Sequence, residues 1–129
     1  MEYYDFVTYE QAIKLKDLGF DWKCFGYYLY QEEVEFGDEP KDYNFIIAND
    51  HISAPTLAQA RKWLGEVKDV NIVSNFKFHK GKVKYSWYIV TDNGDRGICD
   101  SVEKSIYDTY EQALSAGIDQ TLKLIKNEI

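Results

Sequence analysis

Val70-Asn71-Ile72-Val73-Ser74-Asn75-Phe76-Lys77-Phe78 and Val83-Lys84-Tyr85-Ser86-Trp87-Tyr88-Ile89-Val90 flank the tetrapeptide His79-Lys80-Gly81-Lys82. In the first run Val70, Ile72, Phe76 and Phe78 alternate with Asn71, Val73, Asn75 and Lys77. In the second, Val83, Tyr85, Trp87 and Ile89 alternate with Lys84, Ser86, Tyr88 and Val90. A period of two is the signature of half-buried β-strands, and a short Gly-containing link between two such runs predicts a hairpin. The large rings fall on one face with Val70, Ile72 and Val83 and are expected to point inward as core. Lys77 and Lys84 fall on the other face, as ordinary solvated charge that also discourages unwanted strand pairing. Asp92-Asn93-Gly94-Asp95 reads as a second turn, of the kind that tolerates positive φ. A short third strand is expected within Gly97–Tyr107, near Ile98-Cys99 or Ile106-Tyr107.

Helices are expected on both sides of this hairpin. Thr8-Tyr9-Glu10-Gln11, Thr56-Leu57-Ala58-Gln59 and Thr109-Tyr110-Glu111-Gln112 each place Thr three residues before Gln, the spacing of a capping box. The first helix carries Ala12, Ile13 and Leu15 and stops at Gly19, a natural left-handed cap. The second carries Leu57, Ala60, Trp63, Leu64 and Val67 on one amphipathic face. The third carries Tyr110, Leu114, Ile118, Leu122, Ile125 and Ile129; its Gly117 costs about 1 kcal/mol against Ala, which points to tight packing or a bend. The C-terminal part therefore reads α-β-β-β-α. Upstream, Phe25–Tyr30 and Tyr43–Ile47 read as strands, and the acidic stretch from Gln31 to Asp42 as a solvated hairpin loop. Pro55 ends the extended run before it. The word Thr-Tyr-Glu-Gln-Ala occurs at both 8–12 and 109–113, but its flanks do not align, and the repeated need for a helix start explains it.

At 129 residues, with 45% apolar side chains, the chain fits one α+β domain spanning 1–129, an antiparallel sheet packed by about three helices. Eleven Tyr, seven Phe and three Trp suggest rings half-buried across a sheet or an interface. Met1-Glu2-Tyr3-Tyr4-Asp5-Phe6 is acidic where a signal peptide is basic, and no apolar run approaches the ~18 residues a membrane span needs. Cys24 and Cys99 have no CxxC neighbour and read as reduced, so the chain is expected in a reducing cytoplasm. Net charge is −7. It is uneven: residues 1–54 balance to −8, 55–92 to +4 and 93–129 to −3. Overall acidity disfavours generic binding to phosphate backbones, which draws its energy from counterion release.

No catalytic constellation stands out. His51 lies beside Asp50 and near Ser53, but adjacent residues in an extended run point to opposite faces, which spoils Asp50–His51 as a couple, and no elbow or oxyanion motif accompanies Ser53. His79 is expected at a solvated turn. Two His and two Cys far apart give no zinc spacing, the Asp92–Asp95 turn lacks the alternating acids and distal Glu of a calcium loop, and the glycines are too scattered to cradle phosphate. No cofactor is expected. The hairpin interleaves Lys77, His79, Lys80, Lys82 and Lys84 with Phe76, Phe78, Tyr85 and Trp87, a mixture that elsewhere binds single-stranded nucleic acid. The α-β-β-β-α order also matches the layout of double-stranded RNA binding domains, but the last helix starts Asp108-Thr109-Tyr110-Glu111, acidic where those domains carry lysine.

Ser53-Ala-Pro-Thr-Leu-Ala-Gln-Ala-Arg-Lys-Trp-Leu64, Thr8–Ala12 with Leu15–Phe20, Cys24–Tyr28 and Tyr107–Ala113 together resemble a family of small proteins encoded by phages and prophages of gut anaerobes. The similarity spans most of the chain and matches least in the strands and the acidic stretch. It implies a phage origin and brings no catalytic residue with it. The expectation is a non-enzymatic accessory protein that binds a protein of phage or host, with the acidic segment Glu32, Glu33, Glu35, Asp38, Glu39 and Asp42 as the contact. The alternatives are a nucleic-acid-binding module using Lys77, Lys80, Lys82 and Lys84, and a small-ligand or nucleotide binder with a Tyr-lined pocket.

Overall fold

The computed structural model describes residues 5–30, 33–45, 50–91, 97–99 and 107–127. Nine elements follow in the order α1 (Tyr9–Asp17), β1 (Cys24–Leu29), β2 (Glu35–Lys41), β3 (His51–Ala54), α2 (Leu57–Lys68), β4 (Val70–His79), β5 (Lys82–Thr91), β6 (Gly97–Cys99) and α3 (Tyr110–Asn127). The architecture is α+β, with three helices. Its strands divide between two antiparallel three-stranded sheets, ordered β2-β1-β3 and β4-β5-β6, where the sequence suggested one. Pro55 follows β3 and has no N–H to extend a ladder, and α2 then intervenes before β4. The chain divides into two compact units, Met1–Trp63 and Leu64–Ile129, each holding one sheet.

In the first unit, Thr8 caps α1 with both halves of the capping box. Its hydroxyl accepts from the Gln11 amide at 3.1 Å, and the Gln11 side chain accepts from the Thr8 amide at 2.8 Å. Gly19, at φ +97°, turns the chain out, and the Phe20 amide returns to the Leu15 carbonyl at 3.0 Å. Phe20 is thereby delivered into the core, edge-on to Trp63 with centroids 5.3 Å apart. Tyr28 anchors β1 by donating its hydroxyl to the Val7 carbonyl at 2.6 Å. The acidic stretch is not a loop. Glu35–Lys41 forms edge strand β2, exposed along its length except for Gly37. Tyr43–Phe45 is a turn rather than a strand, because the Asp42 carboxylate accepts from the amides of Asn44 (3.0 Å) and Phe45 (3.2 Å). Ile46 and Ile47 lie outside the described residues.

In the second unit, α3 packs on the sheet. Leu114, Ile118 and Leu122 are buried, as are Ile72, Trp87 and Ile89 from β4 and β5. Gly117 is where the helix presses closest: a Cβ there would stand 2.8 Å from Ile72 Cγ2 and 3.4 Å from the Trp87 ring. The expected tight packing is thus the reason for that glycine. Thr109 caps α3 with a full box, its hydroxyl accepting from the Gln112 amide at 3.1 Å and its amide donating to Gln112 Oε1 at 3.3 Å. The α2 helix has half of one: Thr56 accepts from the Gln59 amide at 3.1 Å, while the Gln59 side chain donates to the Lys23 carbonyl at 2.7 Å. Val67, placed by spacing on the α2 core face, is 49% exposed, and Ile129 lies outside the described residues. The third strand is present at Gly97–Cys99, and a separate bridge joins Tyr107 to Tyr85.

Candidate functional site

The β4–β5 hairpin turns through Lys80 and Gly81, at φ +52° and +80°. Two left-handed residues in succession make the turn that matches strand twist and locks the register. The pairing then runs without slip from His79↔Lys82 to Val70↔Thr91. Directly paired residues share a face, so Ile72/Ile89, Ser74/Trp87, Phe76/Tyr85 and Phe78/Val83 form one face. Val73/Tyr88, Asn75/Ser86, Lys77/Lys84 and His79/Lys82 form the other.

How far each face is covered differs along the hairpin. β6 pairs only with Tyr88–Val90, and the Tyr107 backbone exchanges two 2.8 Å hydrogen bonds with Tyr85. Among the described residues nothing pairs with the strands beyond that point, so 76–84 is a two-stranded ribbon. Helix α3 begins at Tyr110, whose ring meets Tyr85 edge-on at 6.5 Å. Outward of Tyr85 the apolar face is bare: Phe76 is 66% exposed, Phe78 72% and Val83 40%. This corrects the expectation that the rings point into the core. Trp87 is buried and Tyr85 half-buried, but Phe76 and Phe78 are open to water. Alternation assigns a residue to a face. It does not say how far the opposing helix reaches.

The hairpin's charge is all of one sign: residues 70–91 carry four Lys and no Asp or Glu. His79, Lys80 and Lys82 are exposed at the tip. Lys84 is tied to Asp108, and the hydrogen bond from that ammonium holds the Asp108 carboxyl below its ordinary range. Lys77, Lys82 and Lys84 stand on the face opposite the phenylalanines. At the inner margin of the bare face, Ser74 Oγ and Trp87 Nε1 are buried with no hydrogen-bond partner among the described residues, and these two residues are directly opposite each other across the strands.

The acidic segment fares differently. Glu33, Glu35, Asp38 and Glu39 are exposed, and Glu32 lies outside the described residues. Asp42 does not belong with them: it is 6% exposed and spends its carboxylate on backbone amides. Pro40 and the acids make β2 a poor template for another strand, since Pro lacks a donor and charges repel a close edge.

Asp50 and His51 form a couple after all. Asp50 lies in a turn rather than an extended run, so strand alternation does not separate them, and Oδ1 stands 2.9 Å from His51 Nδ1. The Tyr30 hydroxyl donates to Oδ2 at 2.7 Å and is the main reason the Asp50 carboxyl sits below its ordinary range. The His51 ring packs against Tyr27 and Tyr43 at 5.1 and 6.0 Å. Ser53 cannot complete a nucleophilic set, because its buried hydroxyl accepts from the Tyr43 amide at 3.0 Å. A surface cavity of about 320 Å³ in the first unit is lined by Phe6, Cys24, Phe25 and Pro40 among others, and by no tyrosine. Burial pushes the free Cys24 thiol there up to about 11, which keeps it protonated and unreactive. The side chain of Cys99 and the Asp92–Asp95 turn lie outside the described residues.

Among the described residues no three His, Cys, Asp or Glu side chains gather as metal ligands, and no helix is long and apolar enough to cross a membrane. Comparisons with protein-family models, with curated proteins and with solved structures find no match.

Proposed function

We propose that this is a phage-encoded accessory protein without enzymatic activity, acting in the cytoplasm of a bacterial host by binding another protein. The contact we assign is the tip of the β4–β5 hairpin, not the acidic strand β2. The observation that carries this reading is the bare apolar face: Phe76, Phe78 and Val83 lie side by side, on one face of a ribbon, at 66%, 72% and 40% exposure. Singly exposed apolar residues are commonplace, but a contiguous patch with two phenylalanines is the composition of a protein contact. The matching partner is a cleft with one apolar wall and one acidic wall, since a ribbon entering end-on presents phenylalanine on one side and lysine on the other.

Single-stranded nucleic acid is the competing reading, because rings and lysines share the hairpin. The arrangement favours it less. A strand stacking its bases on Phe76 and Phe78 needs cations on that side, whereas Lys77, Lys82 and Lys84 face away and Lys84 is held by Asp108.

The test places a photo-crosslinking phenylalanine analogue at position 78, and in a second protein at the exposed Lys123, in infected and uninfected host cells. The expected result is a discrete protein adduct from position 78 alone, competed away by unlabelled protein but not by Phe76→Ser/Phe78→Ser protein. A fluorescent single-stranded oligonucleotide titrated against salt is the counterpart. Tight binding that weakens steeply as salt rises, without a protein adduct, overturns the proposal in favour of nucleic acid.

A further inference from the structure

The β4–β5 ribbon has an open side as well as a bare face. The Tyr85 amide and carbonyl both bond to the Tyr107 backbone, at 2.8 Å each, so neither is directed at Phe76, the residue opposite Tyr85 in β4. Phe76 and Tyr85 are therefore a non-hydrogen-bonded pair, and the N–H and C=O of Phe76 point away from β5. By strand alternation those of Ser74 and Phe78 do the same. β4 is the edge of its sheet, and among the described residues no backbone group bonds to them. The edge strand of the other sheet is guarded where this one is not. β2 carries Glu35, Asp38, Glu39 and Pro40, and its register against β1 slips. β4 runs ten residues in unbroken register, with no proline, no acid and Lys77 as its one lysine. A long, regular edge without such guards is a template for another strand.

Resting on the docking reading above, we infer that the partner adds an extended segment to the β4 edge, antiparallel along Ser74–Phe78, in which apolar and acidic side chains alternate. The residue opposite Phe76 exchanges both backbone hydrogen bonds with it, and these bonds supply the affinity. Side chains of an added strand project in turn to the two faces of the ribbon. On one face they lie beside Phe76 and Phe78, which are open to water, and are apolar. On the other they lie beside Asn75, Lys77 and His79, the side on which Lys82 and Lys84 also stand, and are acidic. One strand thus meets the rings and the lysines together although these face opposite ways. A second copy's β4 is the poorer occupant, since its hairpin brings four lysines and no acid, like charge against like.

Three peptides are titrated into the intact ¹⁵N-labelled protein: acetyl-Glu-Val-Glu-Val-Glu-Val-Glu-amide, its counterpart with lysine for glutamate, and the glutamate peptide N-methylated at the central valine. Amide hydrogen exchange is followed by NMR. In the free protein the amides of Phe76 and Phe78 are expected to exchange faster than those of Asn75 and Lys77. The glutamate peptide is expected to slow Phe76 and Phe78 about tenfold or more, with each of the other two peptides binding about tenfold more weakly. Lys77→Gln is expected to narrow the preference for glutamate over lysine. If the N-methylated peptide binds as well as its parent, or Phe76 and Phe78 shift without their amides slowing, strand addition is overturned while the docking reading stands. Equal binding of the lysine peptide overturns the acidic alternation. Slowing that follows protein concentration alone assigns the edge to a second copy and overturns the inference. If no resonance from 74 to 78 responds to any peptide, the inference is also overturned, and the crosslinking result then decides the docking reading separately.

Discussion

The inner and outer halves of the β4–β5 hairpin are written in the same pattern and have opposite fates. Ile72, Trp87 and Ile89 share a face with Phe76, Phe78 and Val83, yet the first three are buried and the last three are open. The strands do not change between them; the helix does. Ile72 and Trp87 lie under Gly117 of α3, and Tyr85 meets the first residue of that helix. Beyond its start, nothing among the described residues pairs with the ribbon, and Phe76, Phe78 and Val83 are exposed. Hydrophobic alternation is therefore a statement about the sheet, whereas burial belongs to the pair of layers. Here the apolar face outruns its cover.

Four perturbations bear on that contrast, in falling order of effect. Trp87→Ala strikes the covered half and is expected to cost about 3–5 kcal/mol in urea unfolding, through lost burial and the cavity left behind. Gly117→Val drives a branched side chain into Ile72 and Trp87, with an expected loss of about 1–3 kcal/mol by the same measurement. A loss similar to that of Trp87→Ala would mean the helix is displaced rather than strained. Thr109→Ala removes the cap that starts α3 and is expected to cost about 1 kcal/mol. Faster amide exchange confined to the first turn of the helix would mark the cause. Phe76→Ser/Phe78→Ser, on the bare half, is expected to change stability by no more than about 0.5 kcal/mol. A loss of several kcal/mol there would erase the contrast and, with it, the case for a binding face.

The boundary between the halves carries a pH signature. Lys84 holds the Asp108 carboxyl below its ordinary range, so the native state releases that proton more readily than the unfolded chain. The contribution is present at neutral pH and is lost as pH falls through the native pKa. In Lys84→Met the Asp108 titration, followed by carboxyl NMR, is expected to move up toward the ordinary value. An unchanged titration would show that the contact is not held in solution.

Much of the local structure was legible before any coordinates. The Thr-x-x-Gln starts, Gly19, the Lys80-Gly81 turn and the α-β-β-β-α order each follow from short-range chemistry that a few residues carry by themselves. The strand β2 was hidden because its exposed edge position leaves no buried face, so Glu35–Lys41 shows no alternation to read. The Asp50–His51 couple is not legible from strand alternation, because Asp50 lies in a turn where alternation does not hold. Asp42 looked like one acid among many, although a carboxylate two residues before a free amide is the usual side-chain turn. The bare face was visible as a list of rings and lysines, but its openness depends on where α3 begins in space, which residues 70–91 do not encode.

The three helix starts, identical in spelling, differ in which end of the glutamine is at work. At Gln11 and Gln112 the oxygen accepts from the cap amide, and glutamate supplies the same oxygen. At Gln59 the nitrogen is used instead, fastening the first turn of α2 to the carbonyl of Lys23 just ahead of β1. A carboxylate there has no hydrogen to give and would set negative charge against that carbonyl. The exchange of glutamine for glutamate, silent at two of the three sites, would unfasten the third.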